Sequence, residues 1–453
     1  MSSYENVLKI VHLNDLHSHF ENYPKIKRFF AAQSAGFLDV LRFDLGDNVD
    51  RSHPLSEATL GQANIALMND LNLTAATIGN NEGLGLQKSS LNRLYDSANF
   101  PVILANLKDK GRQPNWALEK MTIETSFGMT VDIFGLTAPY PLAYPLAGWE
   151  ILDPMQVLSE QLRDSQADFR ILLSHVGWRF DDDAAAKFDN LDLILGSHTH
   201  HLYEYGRKVN GTMIAAAGRY GEHVGEITLY FDESFNCIRS EIFAENTRHL
   251  PSQVGDKELI QQLADRGHAL LQTDKIMNLP SAISNDFPQY EATHFVAEIL
   301  GDFYQIPAVI INSGMIVKPI PAQLTRDDLH EILPHSIRMV KFSVNGAELQ
   351  KICFELYEIS SFLKTQKIKG MGFRGKTFGD LVMVGLLVEN GRVYYQDVLV
   401  SDTVTYDILV PDQYYFAAYF PILKNSGQAD ILFPRFMREI VADYLKEENK
   451  WQK

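Results

Sequence analysis

The sequence is poor in cysteine, in long apolar runs and in positive charge, and each shortage excludes something. Its two cysteines, Cys237 and Cys353, lie far apart and outside any CxxC pattern. That excludes a disulfide framework and a cysteine-built zinc site. The longest apolar stretches, such as residues 381–388, fall well short of the roughly 20 residues that span a bilayer. The opening MSSYENVLKIVHLND has no basic start, apolar core or small-residue cleavage site, so no secretory signal is expected. Lysine plus arginine is 41 against 57 for aspartate plus glutamate, a net charge of −16. This argues against a nucleic-acid polymer or an anionic membrane as partner. It does not exclude a small anion, because one local positive site suffices for that. No internal repeat or low-complexity tract occurs. The expectation is a soluble, reduced, cytoplasmic protein whose oligomeric state the sequence leaves open.

What is present is ordinary for a globular chain: 453 residues, 45% hydrophobic and 22% charged. The first part alternates short apolar runs (7–13, 40–45, 75–78, 102–104, 131–136, 170–173 and 191–195) with helix-like stretches such as 60–69 and 155–165. This alternation predicts an α/β domain with buried strands. Residues 212–232 read as paired strands with glycines as turn material. Residues 254–275 carry one amphipathic helical stripe, and another set of apolar runs follows it. The expected organisation is a first domain over 1–248, a linker helix within 249–278 and a second domain over 279–453. The charged end, from Lys446 onward, is expected to fray.

The ends of the first-domain runs carry the chemistry. They are followed in turn by Asn14-Asp15-Leu16-His17, Gly46-Asp47-Asn48, Gly79-Asn80-Asn81-Glu82, Ser174-His175 and Gly196-Ser197-His198-Thr199-His200. Sites in open α/β sheets form beyond the carboxyl ends of strands. Five strands would therefore deliver Asp15, His17, Asp47, Asn80, His175, His198 and His200 to one rim. Imidazole and carboxylate donors without thiolate suit Mn, Fe or Zn. Seven donors exceed what one ion takes, and they suit two divalent ions about 3.5–4 Å apart sharing a carboxylate, for which Asp47 is the natural bridge. In Asp15-x-His17 and His198-x-His200 the side chains would share a face if the strands continued. Gly46, Gly79 and Gly196 would let the backbone turn beside the site.

In this order, NDLHSH, LGDNVDR, IGNNE, LLSHVGW and GSHTHH resemble the motifs of the calcineurin-like metallophosphoesterases, and more closely those of the two-domain 5′-nucleotidases. INSGMI and the stretch LTRDDLHEILPHSIRMVKFSVNGAELQKI extend the resemblance into the second domain. The resemblance implies a four-layer α/β/β/α metallophosphatase domain plus a C-terminal α/β substrate-binding domain. It places Asp15, His17, Asp47 and His200 on one metal and Asp47, Asn80, His175 and His198 on the other. It implies in-line attack of metal-bound hydroxide on a nucleotide, with Asp47 bridging the ions.

The chain departs from the family in two places. The family's catalytic His is Asn81 here, and the Asp that orients it is Leu84. Asn donates a hydrogen bond but no proton near neutral pH. General-acid help, worth about 10²–10⁴-fold, is therefore missing, and a good leaving group such as a phosphoanhydride suffers least. His19 is the first candidate to replace it, with His53 and His201 behind. In the second domain the family's phosphate-binding Arg is absent. Asn312 matches the signature asparagine, and Lys318 is the next cation along the chain. Arg374, in the glycine-rich basic segment with Lys364, Lys367, Lys369 and Gly370, is the expected anion contact. Tyr415 and Phe420, in a segment with Tyr414 and Tyr419, are candidates to stack on a base. Asp47 and Asn81, with His19, are thus the expected catalytic residues. Rival readings are a metal- and nucleotide-binding sensor without turnover and a cyclic-nucleotide phosphodiesterase.

Overall fold

The computed structural model describes residues 6–33, 36–368, 372–417 and 420–451, so Lys369, Gly370 and Tyr419 lie outside the described residues. The chain divides into two compact units, one to Gly267 and one from His268. The division falls within the helix Asp256–Gln272, inside the stretch expected to link two domains.

Among the described residues of the first unit, besides a two-stranded pairing of Leu107–Lys108 with Glu150–Ile151, two large sheets are built from β1 (Asn6–Leu13), β2 (Asp39–Asp44), β3 (Ala75–Ala76), β4 (Val102–Ile103), β5 (Ala117–Leu118), β6 (Lys120–Glu124), β7 (Thr130–Thr137), β8 (Phe169–His175), β9 (Leu193–Gly196), β10 (Arg207–Val209), β11 (Thr212–Ala215), β12 (His223–Phe231) and β13 (Cys237–Asn246). The first sheet has the order β13-β12-β1-β2-β3-β4-β5 and the second β10-β11-β9-β8-β7-β6. The central neighbours β1 and β2, and β7, β8 and β9, pair in parallel. Their carboxyl ends therefore point the same way within each sheet.

Side-chain alternation explains the layering. Leu8 and Ile10 of β1 pack with Ile171 and Leu173 of β8 in a core shared by the two sheets. Val11 and Leu13, on the opposite face of β1, pack with Tyr23, Ile26 and Phe30 of the helix Tyr23–Ala32. Leu172 of β8 turns to Leu158 and Leu162 of the helix Pro154–Asp164. Both sheets are thus covered on both faces, which makes four layers, α/β/β/α. It also explains why the strands read as continuous apolar runs.

The expectation for residues 212–232 is corrected. β11 pairs in parallel with β9 in the second sheet, whereas β12 pairs antiparallel with β1 in the first. Residues 216–222 carry the chain from one sheet to the other, leaving β11 at its carboxyl end.

The second unit holds a five-stranded sheet built from β14 (Val309–Asn312), β15 (Met339–Asn345), β16 (Leu381–Val384), β17 (Thr405–Pro411) and β18 (Gln428–Ile431), in the order β16-β14-β17-β15-β18. The apolar run from 381 is broken at Gly385, whose φ is +69°. A helix runs through Met437–Trp451 at the end expected to fray, anchored by Ile440, Val441 and Leu445 in the core. Among the described residues no helix is long and apolar enough to cross a membrane.

Candidate metal centre

After β1, β2 and β9 the strand-end residues converge because the backbone turns through an unusual conformation, whereas His175 still belongs to β8 and Asn80 opens a helix. Asp15 (φ +43°), His17 (+49°), Asp47 (+50°), His198 (+71°) and His200 (+58°) all occupy the left-handed region. For residues with a Cβ this costs about 1–3 kcal/mol each, and such positions cluster at functional sites. Alternation along a continuing strand is therefore not what brings Asp15 and His17 together. β1 ends at Leu13, and a left-handed turn does it. Nor do His198 and His200 share a face: each joins a different cluster.

The first cluster is Asp15, His17 and His200, and the second is Asp47, His175 and His198; the ligand atoms within each lie no more than 4.8 Å apart. His17 Nε2 and His200 Nε2 approach to 3.2 Å. The Asp47 carboxylate faces both groups, with Oδ2 at 3.7 Å from His17 Nε2 and 3.5 Å from His175 Nε2. That is the position a bridging carboxylate needs.

Three buried atoms here have no hydrogen-bond partner among the described residues: Asn80 Oδ1, His175 Nε2 and His198 Nδ1. Buried polar atoms are rarely left so. A bound cation would account for each. His175 Nδ1 donates to the Leu45 carbonyl at 2.7 Å, which fixes its tautomer and turns the Nε2 lone pair inward. The donor set therefore fits a pair of divalent ions.

The electrostatics agree. Burial alone would raise Asp47, but His175 and His17 outweigh it and hold the carboxylate well below its ordinary range. Burial raises Asp15 to about 6, with the Asp47 charge adding to the rise and His175 and His17 opposing it. Burial would lower His175, yet Asp47 and Asp15 lift it to about 10. Burial, His17 and Arg219 bring His200 down to about 4, which keeps that imidazole neutral. With no ion present, a proton on His175 Nε2 takes the place beside Asp47 and Asp15 that a cation would fill.

Some contributors were not singled out from sequence. Ser197 Oγ donates to Asp15 Oδ2 at 2.5 Å. Tyr140 Oη lies 3.3 Å from His198 Nε2, which leaves Nδ1 as the inward atom of that ring. Glu82 accepts from the backbone N–H groups of Asp47, Val49 and Gly79 and so clamps two ligand loops together. Arg219 Nη1 lies 3.2 Å from His200 Nδ1, in the loop directly after β11. The strand-end rule that picked out the candidate ligands could have picked out Arg219 too, had the glycines around it not read as turn material.

Asn81 sits against two of the candidate ligands. Its N–H donates to Asp47 Oδ1 at 2.7 Å, and its side-chain amide lies 2.9 Å from His17 Nδ1. The expected substitute, His19, stacks on Tyr220 at 3.9 Å with Nδ1 facing Glu21, one ring removed from His17. His53 Nδ1 accepts from its own helix at Leu55 N–H, and His201 lies against Thr199 and Trp178.

The second-unit expectations fare unevenly. Asn312 is fully buried: its amide donates to the Phe378 carbonyl at 2.5 Å and accepts from Tyr414 Oη at 2.8 Å, which makes it a structural tie. Phe420 is likewise fully buried, packed on Tyr414 and Phe378, and shows no face to a ligand. Both were matched by position in a motif, and core packing has taken them. Lys318 pairs with Glu331 at 2.7 Å. Tyr415 is half-buried, edge-on to Phe342. Arg374 is exposed, and its backbone N–H donates to His335 Nδ1 at 2.9 Å.

His335 itself yields a pH prediction. Its Nε2 donates to the Met315 carbonyl at 2.8 Å, so the ring is neutral and bonded at both nitrogens. Burial lowers it from 6.5 to about 4, with the Met315 bond opposing and the Arg438 and Arg374 charges adding. The unfolded chain takes up its proton near 6.5, whereas the folded protein resists until about 4. Its contribution is therefore complete above 6.5 and is lost as pH falls toward 4, up to about 3 kcal/mol. Urea unfolding of wild type and His335→Gln between pH 7 and 4 should show a difference that shrinks on acidification. Parallel curves would refute it.

Two sheets backed by helices, with two groups of histidine and carboxylate donors at their carboxyl rim, are the frame a metal-dependent phosphoesterase needs. Residues 8–202 match the family model described as calcineurin-like phosphoesterase. The chain is 33% identical to YunD, an uncharacterized metallophosphoesterase of Bacillus subtilis (strain 168), over 96% of this chain and 98% of that protein. It belongs to the calcineurin-like metallophosphoesterase family and is a metal-dependent phosphoester hydrolase. Members of this family use a divalent metal pair. Its fold is similar to that of the NAD nucleotidase of Haemophilus influenzae (TM-score 0.64, 16% identity, 99% of this chain and 97% of that one). It is also similar to the 5′-nucleotidase precursor of Thermus thermophilus (TM-score 0.59, 20% identity, 98% and 97%).

Proposed function

We propose that the protein hydrolyses a phosphoester or phosphoanhydride bond of a small nucleotide-type substrate. Asp15, His17, Asp47 and His200 would hold one divalent ion, and Asp47, Asn80, His175 and His198 the other. The observation that carries this is the Asp47 carboxylate facing both imidazole groups beside three buried, unpartnered ligand atoms. The nitrogen and oxygen donors favour Mn, Zn or Fe. When bound, the pair supplies positive charge to the phosphoryl oxygens and makes water acidic enough to attack. Nucleotidases among the relatives support a nucleotide substrate. Two cysteines, neither in a disulfide, support a reducing, cytoplasmic setting.

The chain's own residues set the leaving-group preference. Asn81 holds Asp47 through its N–H and His17 through its amide, so it orients ligands and moves no proton. Of the second-unit candidates, Lys318, Arg374 and Tyr415 keep an accessible surface. Without a general acid, departure of a poor leaving group is slowed, whereas an anhydride phosphate leaves unaided.

The test is turnover of Mn²⁺-loaded protein over a panel running from nucleoside monophosphates to nucleotide anhydrides and aryl phosphates. Anhydrides and aryl esters should outrun alkyl monoesters. The double change Asn81→His with Leu84→Asp should raise monoester turnover by about 10²-fold or more, narrowing the gap. No release of phosphate from any member by metal-loaded protein would end the proposal.

A further inference from the structure

We infer that Arg219 is an anion-binding residue of this site, reaching the phosphoryl group of the substrate from the crossing loop of the first unit. The inference rests on the hydrolase reading above and adds the source of positive charge that Asn81 does not supply.

The loop is fixed to the metal centre at two points. Tyr220 N–H donates to the Asp15 carbonyl at 2.8 Å, and Gly218 N–H donates to the His201 carbonyl at 2.9 Å. Arg219 lies between these ties and cannot drift from the rim. Its side chain is exposed, and among the described residues no carboxylate pairs with it. Its contacts are the Tyr220 ring, 4.5 Å from the guanidinium carbon, and His200 Nδ1 at 3.2 Å. An arginine held beside a metal site with no acidic partner is poised for an anion that arrives from outside.

The His200 contact is conditional on ligand chemistry. A guanidinium has donors only. It can bond Nδ1 only while that nitrogen is an acceptor, with the ring hydrogen on Nε2. His200 Nε2 is the atom that faces His17 Nε2 and Asp15 Oδ1, at 3.2 and 3.6 Å. A neutral imidazole that ligates through Nε2 carries its hydrogen on Nδ1, which then faces Arg219 donor to donor. The guanidinium must release His200 in the state that binds substrate. Tyr220 keeps it at the rim, where its planar fork suits two phosphoryl oxygens.

Arg219 is thus free to bind the anion when the ligands are committed and occupied when they are not. Its removal should weaken anion binding without weakening metal binding. The full-length protein, loaded with Mn²⁺, is titrated with inorganic phosphate by calorimetry, and Mn²⁺ affinity and melting temperature are measured alongside. Arg219→Met should weaken phosphate binding about 10- to 100-fold, the worth of a charge-assisted hydrogen bond or two. Arg219→Lys should recover part of it, because an ammonium restores the charge and not the fork. Mn²⁺ affinity and melting temperature should not fall in either variant. Unchanged phosphate affinity in Arg219→Met overturns the inference. So does a loss that only tracks a loss of Mn²⁺ affinity, which would make Arg219 a support for His200. Wild-type ester turnover in the same preparation tests the hydrolase reading separately, so the two can fail independently.

Discussion

Gly79→Ala should abolish metal-dependent turnover with every ligand still in the chain. Gly79 is in ordinary extended backbone (φ −102°, ψ −171°), so alanine meets no conformational objection there. The objection is space. A Cβ on Gly79 would lie 2.0 Å from Asp47 Oδ1 and 2.4 Å from His175 Nε2, inside the van der Waals surface of two proposed ligands. Neither can withdraw. Asp47 Oδ1 accepts from Asn81 N–H at 2.7 Å, and His175 Nδ1 is held by the Leu45 carbonyl at 2.7 Å. Disturbing groups that merely support a metal ligand typically costs 10- to 100-fold, and displacing the shared carboxylate should exceed about 100-fold in turnover. Bound manganese should drop below two ions per chain by elemental analysis. Retention of both ions with normal turnover would mean that Asp47 is not the bridge.

Glu82→Ala should be the most destabilising of these substitutions. Glu82 is buried, with one oxygen accepting from Val49 N–H at 2.8 Å and the other from Asp47 and Gly79 N–H at 3.0 and 2.9 Å. Alanine would strand three buried donors at roughly 1–3 kcal/mol each, about 3–5 kcal/mol after partial relaxation. For a unit of this size that lowers the melting temperature by about 6–20 °C. Glu82→Gln can keep the paired acceptor while turning its NH₂ group onto Val49, so about half the loss should return. Metal binding should weaken in parallel, because the same carboxylate fixes the loops of Asp47 and Asn80. A melting temperature for Glu82→Ala within about 2 °C of wild type would contradict this account.

Both residues show where reading the sequence succeeds and where it stops. Gly79 and Glu82 stand in a motif visible in the sequence, yet the reason for each lies elsewhere. Gly79 is required by the atoms of Asp47 and His175. Glu82 is required by two loops that begin more than thirty residues apart. Phe420 and Asn312 show the converse. They matched a pattern, but burial in the second core made them packing residues. Arg219 was hidden because β11 and β12 read as partners; only their assignment to different sheets makes 216–222 a crossing loop at the metal rim.

The sequence by itself determined the alternating buried strands, the polar residues that end them and the kind of chemistry those donors suit. These are local properties: an apolar run is buried wherever it pairs, and imidazole and carboxylate keep their ligand character in any fold. Tertiary structure alone decided which donors meet. Left-handed turns at Asp15, His17, Asp47, His198 and His200 swing the side chains off the strand axis, and backbone ties such as His17 N–H to the Asp47 carbonyl at 2.8 Å set their spacing. Such ties join segments far apart in the chain, and their geometry exists only once both sheets have packed.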